Sequence, residues 1–144
     1  MFRTTGILLI IVAVAACKPQ TDYKEKRDEV IKIHDVVMAD QGKVVSREIQ
    51  ITSMLKDLKG LKARNSRLDT LAERDSLVAI HTRLSKADES MNDWMHQFEP
   101  DVTGKSNEEA VKYFESEKLK IQKVDTLFKQ EIKSADAYLS KFKG

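Results

Sequence analysis

The chain has 144 residues, a formal net charge of +2, 33% charged residues, two prolines and one cysteine. A single cysteine excludes an internal disulfide, so stability has to come from packing. Charge this close to balance gives no electrostatic reason to expect nucleic acid as a partner.

In chain order the first element is a secretory signal. Arg3 supplies one positive charge, and an apolar run from Ile7 to Ala16 follows and stops at Cys17. The run is about 10 residues, short of the roughly 20 that a membrane span requires. Val14-Ala15-Ala16-Cys17 looks like the lipobox of bacterial lipoproteins: an aliphatic residue, two small ones, then the cysteine that receives a diacylglycerol thioether before cleavage. The chain's one cysteine stands at that spot. Residues 1–16 are therefore expected to be a removed signal peptide, with diacylglycerol and an N-acyl chain on Cys17. Residues 17–21 form a lipid-anchored tether, and 22–144 a helical domain, large enough for a core of its own. Export to a membrane surface argues against nucleic acid more strongly than charge does.

From Asp22 onward no stretch alternates with period two, and three segments carry apolar residues at three–four spacing. The first spans about Asp22 to Lys62 through Val30, Ile33, Val37, Val44, Ile51, Leu55 and Leu58, with Gln41 and Glu48 at two seam positions. Gly42 weakens its middle by roughly 1 kcal/mol relative to alanine, which leaves room for a kink there. Lys59-Gly60 and Asn65-Ser66 mark the turn. The second spans about Leu68 to Phe98, with the seam Leu77, Ile80, Leu84, Ala87, Met91, Trp94 and Phe98. Pro100 and Gly104 make the clearest break, and Ser106 with Glu109 spells a capping box that opens the third segment. Its seam is Phe114, Ile121, Val124, Phe128, Ala135, Tyr138 and Phe142, interrupted by Glu117 and Glu131. Asp28/Lys32, Glu108/Lys112 and Asp125/Lys129 are four-apart pairs on the outer faces. Long helices joined by short turns fold back on one another, which predicts an all-α, elongated antiparallel (up-down-up) three-helix bundle with coiled-coil-like packing.

No glycine-rich phosphate loop, nucleophile elbow, zinc-ligand histidine pair or calcium loop is present, and we expect no enzyme. The one constellation with chemistry is soft. His34 and Met38 share a face of the first helix; Met91, Trp94 and Met95 share a face of the second. With a turn near residue 64, positions 34 and 94 come level. Thioether and imidazole suit Cu(I) or Ag(I), and an indole face adds cation–π attraction. His34, Met38, Met91, Trp94 and Met95 are thus the candidate metal ligands. Ordinary core packing is the stronger reading of the same residues, since Met91, Trp94 and Phe98 lie on the hydrophobic seam.

The stretches Ile33-His34-Asp35-Val36-Val37-Met38, Lys86 through Phe98 (with Asp93-Trp94-Met95-His96 its most specific part) and Lys120-Ile121-Gln122-Lys123-Val124 resemble a group of small bacterial lipoproteins labelled "viral A-type inclusion protein". The resemblance covers most of the mature chain. It implies an exported, lipid-anchored, all-helical protein and identifies no ligand.

The expected function is that of a non-enzymatic interaction or structural protein of the cell envelope, held on the membrane by its lipid and contacting another envelope protein. Cu(I) or Ag(I) binding is the alternative. Linkage to the wall through a C-terminal lysine is not expected, because the chain ends Lys143-Gly144. The short tether places the His34/Trp94 end near the lipid and the 60–67 turn roughly 45 to 60 Å beyond it.

Overall fold

The computed structural model describes residues 21–142. The expected signal segment 1–16, the expected lipid site Cys17 and residues 18–20 of the expected tether lie outside the described residues, as do Lys143 and Gly144. Among the described residues there are four α-helices and no strand: α1 Tyr23–Lys56, α2 Leu58–Arg64, α3 Thr70–Gln97 and α4 Asn107–Leu139, with a short 3-10 turn at Ser140–Phe142. None of these helices is long and apolar enough to cross a membrane.

Each long helix starts where a side chain can take up its free N–H groups. The Asp22 carboxylate accepts from Lys24 N, and that of Asp69 from Leu71 N and Ala72 N. At α4 the capping box is complete: Ser106 Oγ accepts from Glu109 N while Glu109 accepts from Ser106 N at 2.8 Å. Of the four-apart pairs, Glu108/Lys112 and Asp125/Lys129 close at 2.7 Å, whereas Asp28 pairs with Arg27.

The first segment differs from expectation in where it breaks. Helix α1 runs unbroken through Gly42, and the break falls at Asp57, ahead of Lys59-Gly60. Asp57 ends one helix and caps the next, its carboxylate accepting from Gly60 N at 3.0 Å. The carboxylate sits so close over Gly60 that a Cβ there would collide with it. Glycine at 60 therefore serves the cap and does not stop a helix.

The core is a single cluster contributed by the three long helices. From α1 come Val30, Val37, Val44 and Ile51, strictly seven apart and fully buried. From α3 come Leu77, Ile80, Leu84, Ala87, Met91 and Trp94. From α4 come Phe114, Ile121, Val124, Phe128, Ala135 and Leu139, together with Glu117 and Glu131, which are buried despite their charge. Polar contacts link α1 to α4 at Tyr23–Asn107, Glu29–Lys118 and Arg47–Asp136, and α1 to α3 at Gln41–Asp88 and Glu48–Ser85. Helices α3 and α4 meet at Trp94–Glu117, Arg83–Glu131 and Glu73–Tyr138.

Candidate functional site

Aromatic side chains gather where α3 ends and where α1 and α4 begin. Trp94 stacks on Phe98 with ring centroids 4.7 Å apart, and Phe98 approaches Phe114 at 6.3 Å. Phe114 also meets Tyr23 and, edge to face, Tyr113. Such pairs add about 0.5–1.5 kcal/mol each beyond the area they bury. The indole N–H needs an acceptor when buried, and Glu117 provides it: Nε1 donates to Oε2 at 3.0 Å, while Lys120 Nζ donates to Oε1 at 2.7 Å. Glu117 is 3% exposed, so the carboxylate is held in the core by two donors. The Tyr113 hydroxyl accepts from Glu99 N, and burial raises its pKa above the ordinary tyrosine value.

Of the five candidate metal ligands, the structure brings His34 and Trp94 together, with ring centroids 6.0 Å apart. His34 Nδ1 also lies 3.0 Å from the Asp35 carboxylate on its own helix. Met91 is fully buried in the core cluster, whereas Met38 and Met95 are on the surface. Among the described residues no three His, Cys, Asp or Glu side chains converge as a metal site.

The two edges of α1 are built differently. Toward α4 they are closed by ion pairs, Lys118 to Glu29 and Arg47 to Asp136. Hydrogen bonds from Lys118 and Lys26 hold the Glu29 pKa below the usual carboxylate value. Toward α3 the links are single: the Gln41 amide donates to Asp88 at 2.7 Å and Ser85 Oγ donates to Glu48 at 2.6 Å. Beyond that edge α1 exposes Ile31, Met38, Val45 and Ile49, which are 38% to 65% open to solvent. In the sequence this stripe is masked by the core valines, which hide a second series one residue later. Ile31, Met38 and Val45 are themselves seven apart, and that spacing was the available signal.

Two surface cavities stand out. One, of about 420 Å³, lies along α1 and is lined by Val45, Glu48, Ile49, Thr52, Ser53 and Lys56. The other, of about 470 Å³, lies at the far end among Met54, Leu61, Arg64, Lys141 and Phe142. No family model, curated protein or solved structure matches the chain.

Proposed function

We propose that this chain is a lipid-anchored interaction protein of the bacterial cell envelope, without enzymatic activity, of the lipoprotein group that its sequence resembles. Cys17 carries the acyl chains, and the three long helices run up, down and up with coiled-coil-like packing. The paired positions support that arrangement: contacts from α1 to α4 climb together in number, while those involving α3 run in opposite senses. The observation that carries the interaction reading is the stripe Ile31, Met38, Val45 and Ile49, a second apolar face on a helix whose first face already fills the core. Solvent-exposed apolar side chains in a continuous row mark contact surfaces, whereas scattered ones do not.

Chemical cross-linking in native membranes tests this. Wild-type protein should give a discrete adduct, and Val45→Glu with Ile49→Glu should abolish it while leaving helicity unchanged. An adduct pattern indifferent to both substitutions would defeat the reading.

The closeness of His34 and Trp94 favours soft-cation binding as a second reading, with Met38 and Met95 one helical turn and one residue away in sequence. Titration of the reduced protein with Cu(I), followed by Trp94 fluorescence, should saturate at micromolar concentration or below. Saturation unchanged in Met38→Leu with Met95→Leu would exclude it.

A further inference from the structure

We propose that the occupant of the α1 stripe is a second copy of this chain, packed antiparallel with Gly42 at the crossing; this rests on the interaction reading above. Three observations on one helix face point to it.

The first is the apolar row itself. Ile31, Met38 and Val45 each follow a buried valine by one residue, about 100° around the helix, and Ile49 extends the row by a further turn.

The second is Gly42, between Met38 and Val45. It lies inside α1, and a Cβ built on it would meet nothing within 4 Å. Its φ is not positive. Folding of one chain thus gives no reason for a residue that weakens a helix by about 1 kcal/mol relative to alanine. A second helix crossing at that point does, since a missing side chain lets two axes approach toward the short end of the roughly 8–10 Å range.

The third is charge. Asp28 and Asp35, with side chains 71% and 70% exposed beside Arg27 and His34 of their own helix, lie at the N-terminal part of this face, and exposed Lys56 lies at its C-terminal end. Pairing about a two-fold axis between positions 42 and 45 sets Lys56 of one copy level with Ile31 of the other, one turn from both aspartates. The symmetry makes the contact twice. Parallel pairing would instead set each charge against its own copy. The antiparallel register also brings Met38 level with Ile49, beside the 420 Å³ groove, where a flexible thioether side chain can fill irregular space.

In this register the two Tyr23 ends of the pair stand 41 residues of helix rise apart, roughly 60 Å. Both anchors reach one membrane when the paired rods lie along it, in place of a rod standing upright.

Single cysteines introduced into the full-length lipoprotein test the geometry in native membranes, because acylation leaves the sulfur of Cys17 unavailable. Under mild oxidation Val45→Cys should shift to twice the chain's mass. Ile31→Cys alone and Lys56→Cys alone should not, since each is roughly 37 Å from its own copy along the axis. Co-expressed Ile31→Cys and Lys56→Cys should cross-link to each other. Lys56→Glu should reduce the Val45→Cys dimer, and adding Asp28→Lys with Asp35→Lys should restore it. Monomer only at Val45→Cys overturns the proposal, as does self-linkage of Ile31→Cys and Lys56→Cys, which signals a parallel pair. A Val45→Cys adduct of some other mass also overturns it, while leaving the interaction reading intact.

Discussion

The two ends of the molecule use the same device with different degrees of burial. At the end where α1 and α4 begin, a buried indole donates to Glu117 inside a stack of rings. At the far end, the half-buried Tyr138 hydroxyl donates to the half-buried Glu73, and beside them Leu61 is the one buried residue of a seven-residue helix. A 470 Å³ cavity opens there, and Lys62 Nζ fastens the loop by donating to the Leu68 carbonyl. The near end adds a ring stack to the buried core, whereas beyond Ile51, Leu77 and Leu139 the far end is held by hydrogen bonds that water can replace. Local opening is therefore expected to begin at α2, where few apolar contacts oppose it.

The largest effect should come from breaking the consolidated end. Trp94→Ala removes the ring stack and leaves Glu117 in the core without its indole donor, and should lower unfolding free energy by about 3–5 kcal/mol in urea denaturation. Trp94→Phe keeps most of the packing and should lose about 1–3 kcal/mol, which isolates the loss of the donor to Glu117 Oε2. If both variants matched wild type, the contrast between the ends would be gone.

At the far end, Tyr138→Phe should lose only about 1 kcal/mol at neutral pH. Burial, then the hydrogen bond to Glu73, pushes the Tyr138 pKa up from 10.0 to about 12. Because the folded protein holds that proton more tightly, its contribution is complete below pH 10 and is lost as pH rises from 10 toward 12. Thermal melts across that interval should show a steeper decline in wild type than in Tyr138→Phe.

Two smaller changes sharpen the comparison in the middle. Gly42→Ala adds a Cβ that meets no atom of its own chain, so dilute protein should gain up to about 1 kcal/mol. Lys118→Met removes the ion pair with Glu29 and should cost under about 1 kcal/mol, since both side chains are partly solvated. The Glu29 contribution is present above its unfolded pKa and fades as pH falls through the depressed folded value. Acid titration of the two proteins should therefore converge at low pH; a constant gap would contradict the assignment.

Much of the helical pattern was legible because apolar spacing and caps act locally. Every seam residue read on α3 from Leu77 to Trp94 is buried, and the Ser106/Glu109 box forms as spelled. The Asp57 break was not legible at its true place: glycine at 60 draws attention, although the carboxylate three residues earlier ends the helix. The buried states of Glu117 and Glu131 were also hidden. Sequence marks them as gaps in a seam, and only their partners Trp94 and Arg83, 23 and 48 residues away, explain why charge can stay inside. Of the soft-ligand set, helix register brought out the pairing of His34 with Trp94 and put Met91 on the buried seam, while Met38 and Met95, which lie off the seams, are exposed.

The proposed function rests on lipid anchoring through Cys17. Mass spectrometry of the protein extracted from its own membranes tests that most directly. The account predicts a chain that begins at Cys17 and carries diacylglycerol and an N-acyl group, with Cys17→Ser retaining residues 1–16. An unacylated Cys17 in the wild-type protein, or cleavage at another residue, would contradict it.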